Sequence, residues 1–293
     1  MDSLLVNLSF ILAYGLSYGL VLFAISIGMV ITMGLMKVTN LAHGAFAALG
    51  GYLTVALMNH AGLDFMVALA LSTLLVALFG VVVERLLISR LYGKPDLDQV
   101  LVTLGFNFLV MGALTLIFGP NVYPIALPDY LRGNVDLGIR TFEVYRIFVI
   151  GFGVVLVLAL WVIFDKTNFG AKLRAAVDNR GMASAMGINV NRLYVLAFGL
   201  GSALAAVGGS IGAAMLPMEP FYPLKYLILV LVVVALSGFG NIRASIGVAI
   251  IVGLVETAGR FLIPQFGSYV IYVLLITLIV WRRDGLFARG QNA

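Results

Sequence analysis

The chain has 293 residues; 62% are hydrophobic and 11% charged, with a mean hydropathy of +1.10. A soluble domain carries about 25% charged residues, and apolar runs near the ~20 residues that cross a bilayer recur along the chain, so a soluble enzyme or binding module is excluded. The net charge of +5 does not point to nucleic acid, because membrane proteins gather Lys and Arg on their cytoplasmic loops.

Cysteine is absent, which removes disulfides and thiolate chemistry. The apolar runs do not alternate as the strands of a membrane barrel do. The expected fold is therefore an all-α polytopic membrane protein of eight or nine transmembrane helices, some of them short or re-entrant. No basic n-region precedes the first run, since the first basic residue is Lys37. That run reads as a retained helix with its N-terminus outside.

In chain order the apolar spans are Leu8–Met36, Ala45–Met58, Phe65–Val83, Val100–Phe118, Ile147–Phe164, Leu193–Met215, Tyr226–Leu236, Ile246–Ala258 and Tyr269–Trp281. The second, seventh and eighth are short, and the last two of these could form a re-entrant pair. Nine crossings would place Lys37; Arg85, Arg90 and Lys94; Lys166, Lys172, Arg174, Arg180 and Arg192; Arg243; and Arg282, Arg283 and Arg289 on one side. Only Arg132, Arg140, Arg146, Lys225 and Arg260 fall on the other. The positive-inside rule then puts the C-terminus in the cytoplasm, with Trp161 and Trp281 at interfacial depth. A single permease domain over residues 1–293 is expected, with a periplasmic loop at 119–146 and a cytoplasmic loop at 165–192. No internal repeat is visible.

Asp165–Arg192 is a polar, helix-prone island between two apolar runs. Two short helices are predicted there: one from about Phe169 to Val177 behind Asn168, the other from Asp178 to Gly187. Leu173, Ala176 and Val177 share one face, as do Met182, Ala185 and Met186. A docking element for a cytoplasmic partner and a solvated basic loop both fit this pattern.

The second candidate is the polar break Asn40–Gly44. Asn40 and His43 either line a solute path, since irregular backbone at membrane depth faces protein or water, or make an inner-surface turn. Thr103 and Asn107, four residues apart on one helix face, mark a helix interface or the path. Glu256 and Arg260 read as a local i,i+4 pair. No catalytic cluster and no metal site are expected. The Walker pattern G-x-x-x-x-G-K-[ST] is missing, so the chain does not bind ATP in the P-loop manner.

Four stretches carry a resemblance: Met33–Tyr52 (MGLMKVTNLAHGAFAALGGY), Glu84–Asn107, the island itself (FGAKLRAAVDNRGMASAMGINVNR) and Gly238–Glu256. In order and over essentially the whole chain they are similar to the permeases of branched-chain amino acid ABC importers, of the LivH type rather than the LivM type. The chain departs at Arg90-Leu91, where Arg-Pro is usual, and at Arg243-Ala244, where Pro-Gly is common. The resemblance implies that Phe169, Gly170, Leu173, Arg174, Ala175, Asn179, Ala183, Gly187 and Ile188, with Met182 and Met186, form a coupling loop for cytoplasmic ATPases. Asn40, His43, Gly44, Thr103 and Asn107 are the candidates for the substrate path by their polarity and placement. The resemblance further implies a second homologous permease, two ATPases that hold the ATP and Mg, a periplasmic binding protein, and a place in a bacterial inner membrane. The chain itself would bind no cofactor and catalyse no reaction. Branched-chain amino acids are the implied cargo; urea, amides and aromatic acids are alternatives. A gradient-driven secondary transporter or channel is the competing reading.

Overall fold

The computed structural model describes residues 2–36, 38–136, 141–238 and 240–281. Lys37, Arg140 and the basic tail, which entered the charge count above, lie outside the described residues, as does the side chain of Trp281. The helices are α1 (Asp2–Met36), α2 (His43–Ala61), α3 (Phe65–Leu86), α4 (Asp96–Phe118), α5 (Val144–Trp161), α6 (Asn168–Asp178), α7 (Arg180–Ala185), α8 (Val190–Gly212), α9 (Tyr222–Ser237), α10 (Ile242–Leu262) and α11 (Gly267–Trp281). All nine predicted apolar spans form helices, and among the described residues six helical segments are long and apolar enough to cross a membrane.

One expectation changes. The eighth span is not short, because α10 runs for 21 residues, long enough to cross. The fold is an all-α polytopic membrane architecture, and the loop after α4 adds only a small antiparallel ribbon, β1 (Asn134–Asp136) paired with β2 (Thr141–Glu143), which leads straight into α5. A repeat that the residues do not show is visible in the packing.

α1 and α8 are the most buried spans and lie antiparallel: Gly28 meets Gly201, and Ile25 meets Gly208. Around this pair the chain follows one plan twice. Each long helix is followed by an interrupted connection, a second helix and a long third helix. α2 and α3 pack on α8, whereas α9 and α10 pack on α1, so each half closes over the first helix of the other. The crossings use small residues. Gly15 and Gly19 of α1 meet Gly253 and Ala249 of α10, and Gly80 of α3 meets Ser202 of α8. Small side chains let backbones approach where lipid offers no hydrophobic drive between helices. Thr54, Ser72 and Ser210 join α2, α3 and α8 through hydroxyl bonds of 2.7 to 3.3 Å.

The two interruptions meet inside the bundle. The His43 ring bonds the Ile25 carbonyl at 2.8 Å. That carbonyl lies about 16 Å of helix back from the end of α1 at Met36. Residues 38–42 therefore climb back beside α1 before α2 begins. Gly44 packs directly on the backbone of Pro223, at the start of α9. A Cβ at Gly44 would collide with the Pro223 carbonyl, and neither backbone can step aside. Gly44→Ala is expected to destabilise the protein by about 1–3 kcal/mol through overpacking, measured as a lower midpoint of thermal unfolding in detergent.

Far from the α6–α7 connection, the long loop is tied down locally. The Tyr130 hydroxyl donates to Asp64 at 2.7 Å, and Asp64 caps α3 by accepting from the Met66 N–H at 2.9 Å. These donors, the tyrosine foremost, hold the Asp64 carboxyl below its ordinary range. A depressed carboxylate stabilises at neutral pH and loses that contribution as the pH falls through its folded-state pKa.

Candidate functional site

The polar island forms an arm at one end of the bundle. α5 ends in a wide turn over Val162–Lys166, and α6 and α7 follow. The N-caps sit one residue from those expected. Thr167, not Asn168, accepts from the Gly170 N–H, and Asn179, not Asp178, accepts from the Met182 N–H at 2.9 Å. Both residues have the extended backbone that a cap requires. Gly187, at φ +82°, ends the arm in the left-handed region as expected. The loop proper spans 167–189, because α8 already begins at Val190.

The structure divides the predicted coupling residues into two groups. Gly170, Leu173 and Ala183 are buried, and Phe169, Ala175 and Ile188 are half-buried. Gly170 lies so close to the Phe164 carbonyl that any side chain there would strike it. Arg174 is exposed, but its guanidinium donates to that same carbonyl. These residues seat the arm on its own chain. Asn179, Met182, Met186 and Gly187 face outward. Met182 is 62% exposed and Met186 77%, one helical turn apart. Two exposed methionines on a short, anchored helix offer a soft apolar contact that adapts to a partner.

One anchor escaped the sequence reading. Asp165 bonds Arg243 at the start of α10 at 2.6 Å and lies 3.8 Å from Arg174 of α6. A cavity of about 520 Å³ lies beneath the arm between α1, α5 and α10, walled by Ile31, Leu160, Phe164, Leu173 and Ile246. Asp165 and Arg243 stand at its rim. The sequence signal was an acid at the end of an apolar run; its partner, 78 residues away, left no trace in the local pattern.

The candidate path residues gather at the first interruption. α4 presents Gln99, Thr103 and Asn107 on one buried face. Gln99 accepts from the Thr39 N–H at 2.7 Å, Thr103 accepts from the Leu41 N–H at 3.2 Å, and Asn107 donates to the Leu41 carbonyl at 2.7 Å. Asn40 turns back to accept from the Ala42 N–H at 3.1 Å. Unwound backbone inside a bilayer must find partners within the protein, and α4 supplies them. The structure thus brings Asn40, His43, Gly44, Thr103 and Asn107 together around one buried strand of backbone.

The expected Glu256–Arg260 pair is present at 2.7 Å, at the opposite end of the bundle from the arm. The interlocked halves, the arm and the braced interruption can now be set beside known proteins. The family described as branched-chain amino acid transport system / permease component matches residues 11–280. This chain belongs to that family. It is 26% identical to the high-affinity branched-chain amino acid transport system permease protein BraD of Pseudomonas aeruginosa, over 96% of this chain and 95% of that protein. It is 24% identical to the permease protein LivH of the corresponding system of Escherichia coli K12 and of Salmonella typhimurium, over 94% of each chain. No solved structure matches. The permease is a multi-pass membrane protein.

Proposed function

We propose that this permease forms half of the translocation path of an ATP-driven importer for branched-chain amino acids or related small polar solutes. In this reading it pairs with a second, homologous permease in a bacterial inner membrane. A binding protein delivers solute at the end opposite the arm. Two cytoplasmic ATPases dock on the arm and hold the ATP and Mg, and the permease chain carries no cofactor of its own.

The observation that carries this reading is the arm. A loop that only obeyed the charge rule would have no reason to seat Leu173, Ala176 and Ala183 in the core while presenting Met182 and Met186 outward. An arm seated through Leu173 and Arg174 moves with the bundle, so a force applied at α7 reaches α5 and α10. The ATPases shift the path between its two states only by contacting the arm differently in each.

Asp165→Asn is expected to separate transmission from stability. The Arg243 side chain is 80% exposed, and exposed ion pairs contribute roughly 0–1 kcal/mol. The unfolding midpoint should therefore hardly move, while ATP-driven uptake falls severalfold. Equal loss of both would reduce Asp165 to a packing role.

The reading is tested by tagging this chain at its N-terminus, solubilising the native membrane gently and identifying what co-purifies. Recovery of an ATPase subunit and a second permease in stoichiometric amounts is the expected result. A chain recovered alone, with ATP-independent uptake intact in the cells, would remove the proposal.

A further inference from the structure

A second cavity, of about 420 Å³, opens at the end opposite the arm, between α1, α9, α10 and α11. That volume falls within the ~300–1,000 Å³ of small-molecule sites. Its polar wall includes Tyr18, Arg146, Lys225, Glu256 and Arg260, with Tyr226, Thr257 and Tyr272 beside them; Met215, Leu229 and Ile271 are on its apolar wall.

Glu256 is the unusual member. It is 3% exposed, inside an apolar helix, and such acids in a membrane protein mark function by default. Oε1 receives Arg260, from Nε and Nη2, both at 2.7 Å. Oε2 is buried and has no partner. Leaving a charged oxygen unpaired in a dry site is costly, so a donor is wanted there.

The opposite want is met in the same cavity. The Tyr18 hydroxyl is buried and likewise unpartnered, so it is a donor without an acceptor. The cations around it are already spoken for: Arg146 bonds Glu143 at 2.9 Å, Lys225 pairs with Glu219, and Arg260 pairs with Glu256. Arg260 still has N–H groups left for a carboxylate, since a guanidinium carries five.

We infer that this cavity binds the head group of a free α-amino acid, with Glu256 Oε2 accepting from the ammonium and Tyr18 and Arg260 donating to the carboxylate. One ligand carrying an ammonium and a carboxylate on a single carbon satisfies both orphan groups at once, and the apolar wall takes the aliphatic side chain. A simple anion would leave Glu256 unpaired, and a simple cation would leave Tyr18 unpaired. The site rests on the importer reading, because it places a way-station for the cargo inside the permease.

The test uses the importer purified through a tag on this chain, in nanodiscs and without the binding protein. Equilibrium binding of radiolabelled leucine is competed with leucinamide, which lacks the carboxylate, and with 4-methyl-2-oxopentanoate, which lacks the ammonium. Glu256→Gln should weaken leucine and leucinamide about tenfold, the loss of one charge-assisted hydrogen bond, and leave the oxo acid unchanged. An unchanged leucine affinity in Glu256→Gln overturns the site. So does an absence of leucine binding to an importer whose ATP-driven leucine uptake is intact; in that case the importer reading stands. If the assembled importer takes up no amino acid, the cargo assignment fails instead, and the site with it. If Glu256→Gln does not assemble, Tyr18→Phe decides, since it removes only a hydroxyl that nothing in the protein uses. Weaker binding of leucine and of the oxo acid, with leucinamide unchanged, supports the site, and unchanged affinity for all three overturns it.

Discussion

Replacing Met182 and Met186 together by glutamate is expected to release the ATPases from an otherwise intact permease. Buried apolar anchors at an interface contribute about 2 kcal/mol or more each, so ATPase recovered with the tagged chain should drop at least ~tenfold. The permease itself should not notice. Both side chains are exposed, and exposed substitutions move stability by about ±0.5 kcal/mol. The check is a quantitative pull-down alongside an unfolding curve. Leu173 would be a misleading target: it is 1% exposed, so a polar residue there unseats the arm from its own chain and loses the ATPase indirectly. Arg174, held by the Phe164 carbonyl, has the same drawback.

The second large effect concerns the interruption between α1 and α2. Asn107→Leu removes the only side chain recorded as donating to the Leu41 carbonyl among the described residues, deep between α4 and the climbing backbone. An unsatisfied buried carbonyl costs about 1–3 kcal/mol. Thr103→Val strands the Leu41 N–H, but that bond is the longest of the three at 3.2 Å and a valine methyl fills the space of the hydroxyl, so it should cost less. Gln99→Leu should resemble Asn107→Leu, since it strands the Thr39 N–H. Unfolding midpoints of the three variants in detergent read this order. A Thr103→Val defect larger than that of Asn107→Leu would contradict the bracing role.

Much of the architecture was legible because a bilayer leaves few options. Long apolar runs must be helices. The island at 165–192 stood out because it is polar between two apolar runs, and Gly187 ends it where a glycine is expected. What stayed hidden lies in pairings across the chain. The repeated plan was invisible because its two interruptions use different chemistry. The first has Thr39 and Leu41 braced by α4 and His43 held by the Ile25 carbonyl of α1. The second has Pro217, Pro220 and Pro223, with the Met218 carbonyl held by the Tyr123 N–H at 2.7 Å. The burial of Leu173 against the exposure of Met182 could not be read either, since both lie on apolar faces of short helices. Spacing predicted the Glu256–Arg260 pair but says nothing about the second carboxylate oxygen.

Reconstitution decides the central claim most directly. The purified permease, with its co-purifying subunits, is placed in liposomes, supplied with the binding protein and branched-chain amino acids outside, and loaded with ATP or with a non-hydrolysable analogue. Accumulation of leucine that requires hydrolysable ATP and persists when ion gradients are collapsed is the expected result. Accumulation driven by a proton or sodium gradient in the absence of ATP would contradict it.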